Sequence, residues 1–185
     1  MTFGMALVSR ILTGEEPCLR KVQYRRIYEL PTDCELIKHK MNHELLVSKV
    51  IDRLTGEIYV NYRVEKEIED IKLVGYIDIL NVNPKLTTVY EVKTGKERDS
   101  HHVQLWMYMG CLNGARGVLK YTDEQYLYFP EDIPFYLWNL VSKRLKPLET
   151  NKLLPPVKGS HCSYCKYKWL CQHRIRNKKG VIPWI

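Results

Sequence analysis

GYIDILNVNPKLTTVYEVKTGK, residues 75–96, decides how the rest of the chain reads. Apolar residues fill both halves and NPK at 83–85 makes a turn, so two strands are predicted to run side by side in opposite directions. Charged residues interrupt both: Asp78 in the first, Glu91 and Lys93 in the second. Twelve residues separate the two acids, which lets them lie together at one end of the hairpin, and Glu91 and Lys93, two apart, share a face. Burying such charges unpaired is costly, so they need each other or a cation. A hard divalent ion such as Mg²⁺ or Mn²⁺ takes one or two carboxylates plus water and phosphate oxygens, and a neighbouring ammonium could orient a metal-activated water. A structural ion pair between Lys93 and an acid on the next strand would meet the same need. These three residues alone leave both readings open.

Elements of both kinds flank the hairpin. Thr32 to Gly56 reads as a helix, with Thr32 and Glu35 as a capping-box pair and Gly56 at the stop. Leu36, His43, Val47, Val50 and Leu54 form one stripe on it, which places His43 among apolar neighbours. Ile58, Val60, Tyr62 and Val64 alternate as in a half-buried strand. A helix begins near Ser100 and puts Gln104 and Tyr108, four apart, on one face, where they could support a substrate phosphate or Lys93. Strands follow at GVLKYT and QYLYF, a last helix at about 135–150, and the linker KLLPPVKGS. The pattern is α/β with a mixed, partly antiparallel sheet. A doubly wound dinucleotide fold is disfavoured, and no glycine-rich phosphate loop is present.

The chain has 185 residues, 45% of them apolar, enough for one hydrophobic core, and one domain is expected over 1–185 with its core at about 30–150. No run is long enough to span a bilayer, and MTFGMALVSRIL lacks the pattern of a signal peptide, so a soluble, cytoplasmic protein is expected. A net charge of +8 suits an anionic partner such as nucleic acid without requiring one. Of six cysteines, Cys162, Cys165 and Cys171 crowd into HCSYCKYKWLC, while Cys18, Cys34 and Cys111 are scattered. That placement favours metal or cluster binding over disulfides. A local zinc site using the three clustered cysteines with His161 or His173 is one arrangement; Cys34 and Cys111, among apolar neighbours, read as core residues.

His43, GYID ending at Asp78, EVKTG with Glu91 and Lys93, and HHVQLWMY with Gln104 and Tyr108 follow one another in an order that resembles the CRISPR-associated RecB-like exonucleases, within the PD-(D/E)xK nuclease superfamily. The resemblance runs from about residue 14 to 175. It implies a restriction-endonuclease-like core in which His43, Asp78, Glu91 and the Val92 carbonyl hold Mn²⁺ or Mg²⁺, Lys93 activates water, and Gln104 and Tyr108 complete the site. It also implies an iron-sulfur cluster held by one early and three late cysteines. Cys18, in EEPCLRKVQYRR, resembles the family's Cys-Pro-Arg-Lys segment, so the ligands would be Cys18, Cys162, Cys165 and Cys171, with the region formed by about 14–28 and 159–176. Four cysteines serve 4Fe-4S or 2Fe-2S, and 4Fe-4S is preferred.

If the cluster joins those segments, Arg20, Lys21, Arg25, Lys166 and Lys168 gather at one end as a nucleic-acid-binding surface, with Tyr164, Tyr167 and Trp169 among them to stack on bases or to shield the cluster. The activity implied is a metal-dependent exonuclease on single-stranded DNA, trimming fragments for CRISPR spacer acquisition beside the CRISPR integrase. A stand-alone or viral repair or recombination nuclease would keep the same chemistry. A different class, a non-catalytic zinc-stabilised nucleic-acid-binding module, would not need the His, Asp and Glu-x-Lys set. Oligomeric state is open, a homo-oligomer included.

Overall fold

The computed structural model describes residues 1–28, 34–150, 152–168, 170 and 171, with the backbone alone for 34–39. The fold is mixed α/β, a mixed sheet flanked by helices. Its hub is β3 (Ile71–Asn83), which β2 (Glu57–Ile68) follows antiparallel along one whole edge. The other edge is shared end to end by β1 (Thr2–Gly4), parallel to residues 72–74, and β4 (Leu86–Val92), antiparallel to residues 79–83. Beyond β4 come β5 (Arg116–Lys120), parallel, and β6 (Gln125–Tyr128), antiparallel. The hairpin therefore forms where the sequence puts it, around Pro84 and Lys85.

The principal core includes side chains of α1 (Met5–Leu12), α4 (Asp99–Met109), α5 (Leu137–Leu145) and one face of the sheet. Met5, Val8 and Leu105 are wholly buried there. On the opposite face α3 (Cys34–Ile51) covers a smaller cluster of Val47, Ile79 and Val92. The expected limit of the core at about 30–150 is thus too narrow: Phe3, Met5, Val8, Ile11 and Val22 belong to it. MALVSRIL is strongly amphipathic, so α1 buries a full stripe against α4.

Two other expectations change. The predicted 32–56 helix is described only as far as Ile51, where 3₁₀-type bonds from Arg53 and Leu54 tighten its end. Gly56 instead serves the turn into β2, with φ +99°, and a Cβ there would lie 2.0 Å from Asn83 Oδ1. The Thr32–Glu35 pair and the Leu36 side chain lie outside the described residues. In β2 the alternating apolar positions do not form one buried face, for Val64 is buried while Val60 and Tyr62 are exposed.

A reversal of faces separates them, Tyr62 pairing with Ile77 on the principal-core side and Val60 with Ile79 on the α3 side. Ile71, Leu73 and Ile77 point to the principal core, Ile79 to the cluster under α3, and Leu80 to the principal core again. The alternation slips at Asp78. In the β2 register the facing position is Asn61, which has left-handed φ of +53°, a conformation Asn tolerates better than most residues. The slip turns β3 just where the charged residues begin.

Candidate functional site

The last paired residues of the hairpin are Ile79 and Tyr90, so Asp78 and Glu91 take the facing positions one step beyond. There Asp78 accepts a hydrogen bond from the Val92 N–H at 2.7 Å, in place of a ladder bond. From α3, His43 Nε2 lies 3.2 Å from both Asp78 Oδ2 and the Val92 carbonyl. Glu91 is 1% exposed, and its Oε1 is paired with the Lys93 ammonium. Lys93 Nζ also donates to Gln104 Oε1 at 3.4 Å, and Gln104 Nε2 donates to Tyr108 Oη at 2.8 Å. His43, Asp78 and Val92 form one bonded group and Glu91, Lys93, Gln104 and Tyr108 a second, the two joined through the main chain at 91–93, where β4 ends.

Electrostatics follow from that burial. The Glu91 carboxyl is pushed up to about 7, first by desolvation and then by Asp78, against the pull of Lys93. Burial draws the Lys93 ammonium down, but Glu91 outweighs it and holds the group above the ordinary lysine value. The hydrogen bond that its ring donates to Asp78 keeps the His43 imidazole above its usual range despite burial. Desolvation lifts the Tyr108 hydroxyl far above the ordinary tyrosine value, so it stays a neutral hydrogen-bonding group.

One atom is left over. Glu91 Oε2 is buried with no hydrogen-bond partner, an arrangement that is costly unless another group engages it. The Glu91, Asp78, His43 and Val92 oxygen and nitrogen donors suit a hard divalent cation, and Lys93 occupies the cation's role toward Glu91 here. Among the described residues, no three His, Cys, Asp or Glu side chains stand as a ready-made metal-ion group.

Sequence reasoning overlooked several contributors. A Cβ on Gly75 would sit 2.3 Å from the Tyr108 ring and 2.9 Å from Met5 Sδ, so the bare backbone makes room for Tyr108. A glycine inside an apolar strand was the available signal. Lys96, Arg98 and His101 share a cavity of about 280 Å³ with His43, Val92 and Lys93. Glu15, in the turn before Cys18, accepts from the Ser100 N–H at 3.0 Å and caps α4 from outside, with Arg98 3.8 Å away.

The second region collects the chosen cysteines. Cys18, Cys162, Cys165 and Cys171 all line one cavity of about 350 Å³ that His161, Arg20 and Lys21 also border. Its walls are α2 (Leu19–Ile27), with Cys18 at the N-cap position, and the 3₁₀ turn Ser160–Cys162 with the residues after it. Long-range bonds hold the walls together. Gln23 donates to the Lys152 carbonyl and accepts from the Leu154 N–H, Arg20 donates to the Leu154 carbonyl, and Tyr24 donates to the Leu170 carbonyl.

The basic residues expected to meet nucleic acid therefore divide. Arg20 is 8% exposed because the linker it fastens covers it, and half-exposed Lys21 pairs with buried Glu16 at 2.7 Å, so neither offers a free surface charge. Arg25, Lys166 and Lys168 are exposed. Tyr167 is buried against Tyr24 while Tyr164 is 89% exposed, so only the first can shield the cavity. Cys111 follows α4 and packs on the principal core, and burial pushes its thiol up to about 11. The side chain of Cys34, Trp169 and His173 lie outside the described residues. No helix among the described residues is long and apolar enough to cross a membrane.

No family model matches the chain. Among solved structures it is similar to the crystal structure of SSO0001, with 18% identity, a TM-score of 0.60, and 94% of this chain and 86% of that one covered. At that identity the likeness concerns the fold.

Proposed function

We propose that this protein is a divalent-metal-dependent deoxyribonuclease with a restriction-endonuclease-like core, acting as an exonuclease on single-stranded DNA. The observation that carries the reading is the orphaned Glu91 Oε2, which lies between two bonded groups, His43 with Asp78 and Lys93 with Gln104 and Tyr108, and feels the charges of Asp78 and His43. A purely structural ion pair would satisfy Lys93 and Glu91 without recruiting a histidine from another helix and without leaving a buried carboxylate oxygen bare.

His43, Asp78, Glu91 and the Val92 carbonyl are the groups that would hold Mn²⁺ or Mg²⁺. When bound, the ion supplies Lewis-acid polarisation of the scissile phosphate and a more acidic water. Lys93 remains an ammonium, able to orient that water and to offset charge developing on the phosphate oxygens. Gln104 steadies Lys93 and is itself steadied by Tyr108, whose ring seats against Gly75.

The four cysteines around one cavity support an iron-sulfur cluster as a second resident group. The family resemblance extends the reading to CRISPR spacer acquisition with the integrase as partner. A stand-alone repair nuclease would share all of the chemistry above.

The test is incubation of anaerobically purified protein with end-labelled single-stranded DNA, with Mn²⁺ or with EDTA, beside Glu91→Ala. Metal-dependent cleavage lost by at least about a hundredfold in the variant is expected. Cleavage that persists unchanged in Glu91→Ala sinks the assignment. Iron content and the visible spectrum of the same sample decide the cluster, and a colourless, zinc-loaded protein rules it out.

A further inference from the structure

A groove of about 270 Å³ lies on the α3 side of the sheet, away from the face that carries Gln104 and Tyr108. Lys49 stands on its helical wall, Arg53 in the turn after the helix and Lys120 on its strand wall, with half-buried Tyr90, Thr122 and Gln125 also in the lining. No carboxylate of the described residues lines it. Some exposed cations elsewhere meet acids, Lys40 with Glu44, Arg63 and Lys72 with Glu65, and Arg98 with Glu15, while others such as Lys85, Lys143 and Lys158 stand singly among the described residues; here three cations line one concavity. Lys49, Arg53 and Lys120 have no acidic partner among the described residues.

A favourable helix C-terminus accounts for Lys49, in the last turn of α3, but not for Lys120, which arrives from β5. Three like charges around one concavity repel unless an anion joins them. The groove also begins at the candidate active site. Lys120 is the register partner of Val92, its carbonyl accepts from the Lys93 N–H at 2.8 Å, and His43 lies on the same helix about 9 Å before Lys49.

We infer that this groove binds the sugar-phosphate backbone of a single nucleic-acid strand a short distance from its reacting end, through Lys49, Arg53 and Lys120, with Tyr90 stacking on an unpaired base. The inference rests on the nuclease reading for its direction along the strand. The chemistry of the groove is that of a strand-binding channel: cations that follow phosphates and a ring that accepts any base. A duplex keeps its bases stacked on one another and cannot offer one to Tyr90.

The test is fluorescence anisotropy with a labelled 20-nucleotide strand in EDTA, where no cutting occurs. The triple variant Lys49→Ala, Arg53→Ala, Lys120→Ala should bind about tenfold more weakly, with the slope of log affinity against log salt reduced by about 2. Removing the same charge elsewhere, with Lys85→Ala, Lys143→Ala, Lys158→Ala, should leave both quantities near wild type. Tyr90→Leu should weaken binding several-fold without changing the slope. Unchanged affinity and slope in the first triple variant, or equal loss in the control triple, overturns the groove. Failure of the two readings is distinguishable: a wild type that binds the strand through these residues yet cuts nothing with Mn²⁺ defeats the nuclease reading alone.

Discussion

Around Glu91 the side chains are set by main-chain pairing between strands adjacent in sequence, whereas around Cys18 they are set by side-chain hydrogen bonds that reach 129 to 146 residues along the chain. The first region needs only the hairpin and one helix packed on each side of it. The second needs both ends of the described chain at once. A pre-formed polar site thus sits in the part with the densest strand pairing, while the cysteine cavity depends on the part most easily pulled open.

The largest expected effect is on the cysteine side. Cys18→Ala should abolish iron retention and lower the stability of the loaded protein by up to about 5 kcal/mol, the value for closing a loop of this length. Iron analysis and thermal melts check it, and His161→Ala, which changes a neighbour of the same cavity, should keep its iron. A Cys18→Ala protein with wild-type iron would erase the contrast between the regions.

Next comes the pH response of the sheet-end site. The folded-state pKa of Glu91, about 7, lies above the ordinary value of 4.5, so the folded chain holds this proton more tightly than the unfolded one. The stability it contributes is complete below about 4.5 and is lost as pH rises through about 7. His43, also raised, acts in the same direction near neutrality. Metal-free protein should lose on the order of 3 kcal/mol over this window, and Glu91→Gln should flatten the loss. Urea unfolding in EDTA at several pH values measures it.

Smaller effects refine the comparison. Gly75→Ala forces a methyl against the Tyr108 ring and should cost about 1–3 kcal/mol, with kcat falling because Gln104 shifts with its partner. Wild-type melting and turnover in this variant would show that the ring has no positioning role. Glu15→Ala removes the outside cap of α4 and should cost about 1 kcal/mol with iron content unchanged. A melt and an iron assay together separate that outcome from loss of the cavity.

Much of the strand pairing was legible in the sequence because apolar runs and the NPK turn are local signals. The mixed sheet and the placing of Gln104 and Tyr108 on one helix followed from the same kind of spacing. Three things were not legible. MTFGMALVSRIL was read only for what it lacks as a leader, yet it supplies β1 and α1, whose value lies in contacts with residues 70 to 100 positions away. The slip of faces at Asp78 depends on the left-handed Asn61 across the sheet, and no periodicity within β3 alone announces it. Arg20 looks like any surface arginine until a linker more than a hundred residues later covers it.

That last distance has a consequence for biosynthesis. Chains emerge from their N-terminal end, so α1, the hairpin and α4 are available to pack while residues 152–171 are still to be made. During that interval Cys18 and the polar groups of α2 have no partners from the far wall. The cavity can therefore collect its four cysteines only after Cys171 has been made, which orders its assembly behind that of the sheet.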